Sequence, residues 1–194
     1  NVAVCICNGG KNSIISFEYD GVKDCRSAAA VSGGPLACPY GCMGLGSCAD
    51  VCPFDAITMK DNLPVVDYEK CTGCSACVEI CPKSLMKLVP DKKKVFVSCH
   101  STWMGKAVKS VCSVGCIGCG ICAKNCPVEA IVIENNLAVI NYDKCINCGI
   151  CVTKCPTHAI LDRSSGVAMP QPINPERVEK MLNKIAEKKA QAKK

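Results

Sequence analysis

Three cysteine runs constrain what this chain can fold into more than any other feature. The runs begin at Cys71, Cys116 and Cys145, and each reads Cys, two residues, Cys, two residues, Cys, three residues, Cys, Pro. This spacing is typical of bacterial ferredoxins, in which the first three thiolates bind one [4Fe–4S] cluster and the fourth binds its neighbour. Such runs therefore act in pairs. The last two runs predict two complete sites, formed by Cys116, Cys119, Cys122 with Cys155 and by Cys145, Cys148, Cys151 with Cys126.

The first regular run needs a partner, and an altered run, CPYGCMGLGSCADVCP, lies upstream of it from Cys38 to Pro53. Leu45 stands where the second cysteine belongs. Three outcomes are open: a [3Fe–4S] cluster, substitution by Cys38, or substitution by the more distant Cys25. We favour Cys38, because a slightly wider loop containing glycines would bring it to the site. The predicted sites are then Cys38, Cys42, Cys48 with Cys81, and Cys71, Cys74, Cys77 with Cys52.

A longer internal repeat surrounds these runs, because VAVCICNGG near the start resembles VFVSCHST at 95–102. In this alignment Cys7 matches Cys99, and Cys38 matches Cys112. The second copy has a full set of ligands without Cys99 or Cys112, which weakens the choice of Cys38. The unassigned cysteines are open to three interpretations: a fifth cluster, redox-active thiols, or small apolar residues packed beside the metal centres. They are Cys5, Cys7, Cys25, Cys99 and Cys112.

Composition excludes several other classes of protein. A zinc site needs only two cysteine pairs, and disulfides between neighbours in one tight run would be strained, so neither explains the spacing of the 21 cysteines. The formal charge of +6 treats every cysteine as neutral. Four clusters would each add about −2 and bring the net charge of the loaded protein near −2, so the basic balance does not indicate nucleic-acid binding.

We expect a fragment of a longer protein, itself soluble, because the chain starts without Met and lacks a long apolar run.

These motifs predict an α+β fold with two tandem modules of the bacterial-ferredoxin type, each containing two [4Fe–4S] clusters, short strands and short helices. Turn residues Asp61 and Asn62, and again Asn135 and Asn136, indicate two hairpins. The predicted division is a strand and helix segment that packs on the first module (1–35), the first module (36–90), the second module with a preceding strand and helix (91–165), and a Pro-rich linker with a basic C-terminal helix (166–194).

The order of the motifs resembles one family. CPYGCMGLGSCADVCPFDAI, CTGCSACVEICP, KKKVFVSC, CIGCGICAKNCPVEAI and CINCGICVTKCPTHAI together resemble the B subunit of the Rnf complex, in the longer form found in anaerobes. The resemblance covers roughly residues 1–163 and implies a membrane-bound ferredoxin:NAD⁺ oxidoreductase that translocates ions. It implies ferredoxin as the electron donor and the other Rnf subunits as partners. It also implies a place at the cytoplasmic face of the membrane, reached through a missing N-terminal region or through those subunits.

The residues themselves favour electron conduction over catalysis. The predicted sites use all four thiolates of each cluster, and the chain has no GxGxxG fingerprint for a nicotinamide or flavin cofactor. We therefore expect a non-catalytic subunit that passes single electrons along four [4Fe–4S] clusters. Two alternatives are a polyferredoxin subunit of another soluble oxidoreductase and a thiol redox protein that uses the unassigned cysteines.

Overall fold

The computed structural model describes residues 1–165 and Glu187. The predicted C-terminal helix in 166–194 lies outside the described residues, apart from Glu187. Within the described part of the chain, no helix is both long and apolar enough to cross a membrane.

The first cysteine-rich module combines two small antiparallel sheets with short helices. Strand β1 pairs with β4, with Val2 opposite Val89, and β2 pairs with β3. The elements are β1 (Val2–Cys5), α1 (Cys25–Ala30), α2 (Ser47–Asp50), β2 (Ile57–Lys60), β3 (Leu63–Val66), α3 (Ala76–Ile80) and β4 (Met86–Val89).

The second module repeats this arrangement. Strand β5 pairs with β8, with Phe96 opposite Leu161, and β6 pairs with β7. The elements are β5 (Val95–Val97), α4 (Gly105–Val111), α5 (Ile121–Lys124), β6 (Ile131–Glu134), β7 (Leu137–Ile140), α6 (Ile150–Lys154) and β8 (Ile160–Asp162). Mixed short strands and helices agree with the predicted α+β class.

The two predicted hairpins are confirmed. Asp61 and Asn62 join β2 to β3 with φ of 52° and 61°, and Asn135 and Asn136 join β6 to β7 with φ of 47° and 63°. Two successive positive φ values match the right-handed twist of the flanking strands, and Asn and Asp tolerate this conformation better than most residues.

The two modules pack together through β1–β4 and β5–β8. Alternate residues of β1 point to opposite faces. Ala3 and Cys5 face the core of their own module, whereas Val2 and Val4 join Val89, Phe96 and Leu161 in a cluster between the two sheets. All four β1 residues are therefore buried.

Arg163, which follows β8, contacts residues on both sides of this junction. Only 5% of its surface is exposed. Its Nε donates to the Lys93 carbonyl (3.1 Å), and its terminal nitrogen bonds the Asp91 carboxylate (2.9 Å). Its guanidinium lies 4.7 Å from the ring centre of Tyr68 in the first module. A buried cation with several hydrogen bonds contributes far more to stability than an exposed one.

We expect Arg163→Leu to lower the free energy of unfolding by about 2–3 kcal/mol, because it leaves the carbonyl of half-buried Lys93 without its donor and removes the contacts with Asp91 and Tyr68. Anaerobic urea denaturation would measure this change. Lys94→Ala is the matched control, since Lys94 pairs with the same Asp91 at 3.7 Å on the surface and should contribute no more than about 0.5 kcal/mol. Equal effects of the two substitutions would contradict this role of Arg163.

Candidate iron–sulfur sites

The second module brings its regular cysteines together in two adjacent sets. Burial raises the pKa of Cys122 to about 11, and negative charge on Cys116, Cys155 and Cys119 acts in the same direction. Burial also raises the pKa of Cys151, and charge on the other set acts on it too. That other set consists of Cys148, Cys145 and Cys126, and charge on Cys122 of the first set also reaches Cys151. The two groups of four thiols thus meet at Cys122 and Cys151.

Glycines allow the loops between the cysteines to pack on the hairpin turns. Gly118 has a φ of 64°, and a Cβ there would lie 2.8 Å from the Asn136 carbonyl oxygen. Gly44 occupies the same position in the first module, with a φ of 74° and the Asn62 carbonyl oxygen at the same 2.8 Å. Only glycine combines this backbone conformation with so close an approach. The hairpin turn therefore fixes the loop that carries the first cysteines of each module.

The fourth cysteines of three runs accept backbone hydrogen bonds. Their sulfur atoms each bond the N–H four residues later, from Leu85 to Cys81 (3.3 Å), from Ala130 to Cys126 (3.2 Å) and from Ala159 to Cys155 (3.3 Å). Hydrogen bonds to ligand sulfurs are among the features that set the reduction potential of an iron–sulfur cluster. In these three runs the turn after the Cys-Pro pair thus supplies a hydrogen-bond donor that stabilises the sulfur as a thiolate.

One cavity in the first module is lined by a complete regular set. Its unoccupied space is about 320 Å³. Burial raises the pKa of Cys77 to about 11, with charge on its set acting in the same direction. The Ala3 N–H donates to Cys71 Sγ at 3.4 Å, so β1 also contributes to this set. The four cysteines lining this cavity are Cys52, Cys71, Cys74 and Cys77.

The altered run lies close to Cys25 of α1. Burial raises the pKa of Cys48 to about 12, and the charges that act on it include those of Cys42, Cys25 and Cys81. Cys38 is instead influenced by Cys112 of the second module. These charge interactions favour Cys25, the alternative that the sequence left open, over Cys38 as the thiol nearest to Cys48.

A short hydrogen-bond chain holds Cys25 at the start of α2. The Cys25 N–H donates to Ser47 Oγ (2.8 Å), and Ser47 Oγ donates to the Asp24 carboxylate (3.1 Å). Asp24 also caps α1 by accepting the Ser27 N–H (2.8 Å). A signal for this arrangement was present in the repeat: the second copy has Cys119 and no cysteine in its helix, whereas the first copy has Leu45 and gains Cys25 in α1.

Cys5 supports this set from β1 without being one of its four thiols. The Cys5 thiol donates to the Cys7 carbonyl (3.6 Å) and also lies close to Cys42, whose pKa this neighbour lowers to about 7 while that of Cys5 rises. The raised pKa of Cys5 and the lowered pKa of Cys42 make Cys5 the donor of this pair. In the second module Val97 takes the position of Cys5, so the corresponding set lacks this donor.

We expect Cys5→Val to lower the reduction potential of one first-module cluster by a few tens of millivolts. The lost S–H donor is worth about 1 kcal/mol, and a one-electron couple shifts about 59 mV for 1.4 kcal/mol. The reduced cluster loses more stabilisation than the oxidised cluster, because its sulfur atoms have more negative charge. An EPR-monitored redox titration would measure the shift, and the iron content should stay unchanged. An unaltered set of potentials would contradict the assignment of Cys5 as a donor.

Among the residues described, no three Cys, His, Asp or Glu side chains are grouped as they would be around a single metal ion. The thiol sets are nevertheless suited to a cubane, because four separate iron corners require sulfurs spread more widely than those around one zinc ion. The chemistry of the donor sets, which consist of cysteine alone, fits an iron–sulfur cluster.

Comparisons with known proteins agree with this chemistry. Family models described as a 4Fe–4S dicluster domain match residues 35–82 and 115–160. The B subunit of the Na⁺-translocating ferredoxin:NAD⁺ oxidoreductase complex of Acetobacterium woodii is 51% identical over 145 residues, which cover 74% of this chain and 44% of that protein. The B subunit of the ion-translocating oxidoreductase complex of Methanosarcina acetivorans is 44% identical over 140 residues, covering 71% and 53%. The chain belongs to the family of Rnf B subunits.

A third member of the family of Rnf B subunits, from the proton-translocating ferredoxin:NAD⁺ oxidoreductase complex of Clostridium ljungdahlii, is 48% identical over 137 residues, covering 70% of this chain and 48% of that protein. The predicted family is therefore confirmed, as are two 4Fe–4S dicluster domains. The chain spans about half the length of the curated relatives it matches.

Proposed function

We propose that this chain binds four [4Fe–4S] clusters and passes single electrons along them. The observation that supports the proposal is that cysteines from distant runs lie close enough for charge on one to act on another in both modules. The proposed ligands are Cys25, Cys42, Cys48 with Cys81; Cys71, Cys74, Cys77 with Cys52; Cys116, Cys119, Cys122 with Cys155; and Cys145, Cys148, Cys151 with Cys126. When bound, such clusters supply one-electron oxidation and reduction.

Adjacent sets support conduction within each module. Charge on Cys77 acts on Cys48 of the neighbouring set, as charge on Cys122 acts on Cys151 in the second module. Buried cysteines at these junctions keep water away from the space between sites. Cys74 and Cys119 are exposed and would bring one site in each module close to the surface. We propose these two edges as the places where electrons enter and leave.

The partners follow from the family. We propose that reduced ferredoxin delivers the electrons and that other subunits of an ion-translocating complex receive them, at the cytoplasmic face of the membrane. The names of the relatives support this, because they describe subunits of ferredoxin:NAD⁺ oxidoreductase complexes. The role proposed for this chain is conduction, since its described thiols are organised in cluster-type sets and the catalytic chemistry would belong to other subunits.

The test uses the full-length protein prepared without oxygen. Iron and sulfide analysis should give at least about sixteen irons per chain, four for each cluster. Mixing with a reduced bacterial two-cluster ferredoxin should then bleach the visible absorbance within the turnover time of the complex. A protein without iron, or one with clusters that reduced ferredoxin leaves oxidised, would overturn the proposal. Copurification with a soluble catalytic subunit alone would favour the alternative of another oxidoreductase.

A further inference from the structure

Four cysteines outside the proposed sets line one cavity between the two modules. The first module contributes Cys7 and Cys38, and the second contributes Cys99 and Cys112. This cavity is similar in size to the one lined by the regular set at Cys71, about 330 Å³ against about 320 Å³ when the open solvent at each mouth is included. From these four residues we propose a fifth [4Fe–4S] site, the inter-module site, which joins the two halves of the electron path.

The sulfurs of Cys7 and Cys99 are held in the same way by equivalent residues of the repeat. Cys7 Sγ accepts N–H groups from Gly9 and Cys42, the latter at 3.4 Å. Near Cys99 Sγ, the backbone N–H groups of Cys116 and Ser101 act in the same way and favour the thiolate. In the alignment of the two copies, Gly9 matches Ser101 and Cys42 matches Cys116. The two halves of the cavity therefore present sulfur with matching pairs of backbone donors.

Cys38 and Cys112 complete the set from loops that are fixed across the junction. The Gly41 N–H donates to the Cys38 carbonyl (3.0 Å), and the backbone N–H groups of Tyr40 and Gly41 lie near the Cys38 sulfur and favour its thiolate form. The backbone of Cys112 forms an isolated antiparallel β-bridge with that of Ser13 in the first module. This bridge continues into further bonds, from Ile14 N–H to the Val111 carbonyl (2.9 Å) and from Ser113 N–H to the Asn12 carbonyl (3.2 Å).

Simple apolar packing does not account for these contacts. A buried thiol that serves only as a small apolar residue has no need of backbone N–H donors directed at its sulfur. Donors of this kind stabilise a thiolate, and they are among the groups that surround the sulfur ligands of iron–sulfur clusters. Lys83 adds a positive charge close to Cys38. Three such thiols, together with Cys112 on the same cavity, favour a cluster over solvent as its occupant.

The position of the inter-module site gives it a role in conduction. Cys42, which bonds Cys7, belongs to a proposed set of the first module, and Cys116, which bonds Cys99, belongs to one of the second. One electron would leave the cluster at Cys42 as one enters the inter-module site, and it would then pass to the cluster at Cys116. Each transfer oxidises one cluster and reduces the next. This inference rests on the proposed function, because assigning Cys25 to the first module releases Cys38.

The test compares the full-length wild-type protein with Cys38→Ala/Cys112→Ala, both prepared without oxygen. We expect about twenty irons in the described region of the wild type and about sixteen in the double variant, with one fewer reducible cluster by EPR spin counting. Any irons bound elsewhere in the full-length protein are common to both preparations, so the difference in iron content reports the inter-module site alone. Cys5→Val is the control, because it alters a neighbouring thiol and should keep all the irons.

A double variant with the wild-type iron content would overturn the inter-module site, as would one zinc in place of four irons. Where the double variant fails to fold, Cys7→Ala and Cys99→Ala serve singly. Each should alter the EPR spectrum of the same single cluster, and spectra that differ between them would overturn the shared site. Absence of the sixteen irons proposed for the two modules would instead defeat the proposed function.

Discussion

Replacing Cys25 with alanine will remove about one iron per chain and produce the EPR signal of an oxidised three-iron cluster. The reason is that Leu45 leaves the set at Cys42 and Cys48 one thiolate short, and Cys25, whose charge acts on Cys48, is the replacement that we propose. A corner of the cubane without a cysteine ligand readily loses its iron. Iron analysis with low-temperature EPR would measure both changes in one preparation.

Cys112→Ala is the control that separates the two candidate ligands. If Cys38 belongs to the inter-module site, Cys38→Ala should resemble Cys112→Ala and differ from Cys25→Ala in its EPR spectrum. A Cys25→Ala protein with its full iron content would show that the fourth ligand of this set is another residue, and Cys38 would regain that assignment.

Removing the iron will unfold most of the described chain. Helices α2, α3, α5 and α6 contain only four or five residues, too few to persist without tertiary support. The buried apolar residues include proposed cluster ligands, so the cores would lose their centres with the metal. We expect the helical far-UV circular dichroism to fall by more than about half after anaerobic chelation, as in other small domains organised by metals.

Reconstitution with iron, sulfide and a thiol reductant should restore the dichroism, which separates the loss of clusters from chemical damage. The buried ligand thiols that should then regain their clusters are Cys48, Cys77, Cys116, Cys122, Cys148 and Cys151. An iron-free protein that still unfolds in one cooperative transition would contradict the dependence of the fold on its clusters.

Local sequence signals predicted the parts of the fold that depend on neighbouring residues. The hairpin at Asp61 and Asn62 could be predicted because both residues tolerate the positive φ that its turn requires. The regular cysteine runs indicated three thiols of each regular set in the same way, because their spacing within a few residues of chain brings those thiols close. The fourth thiol comes from a distant run, and its assignment followed from the known pairing of such runs.

Long-range pairings could not be predicted in this way. The run LMKLVPDKKKVFV reads as one β-rich stretch, yet β4 pairs back to β1 while β5 pairs forward to β8. Cys25 reaches its set because Ser47 and Asp24 bond across two helices, and no spacing rule describes that contact. The meeting of Cys38 with Cys112 depends on how the two modules pack, which neither run encodes by itself.

The sheet-to-sheet junction has a consequence for how this protein can be divided. Val4 and Phe96 are equivalent in the repeat, and both lie in the cluster between β1–β4 and β5–β8. The two halves thus meet through the same face, as the subunits of a symmetric homodimer do. Cleaving the chain after Pro90 would yield two halves, each with this apolar surface exposed to solvent, and each half would tend to dimerise with another copy of itself.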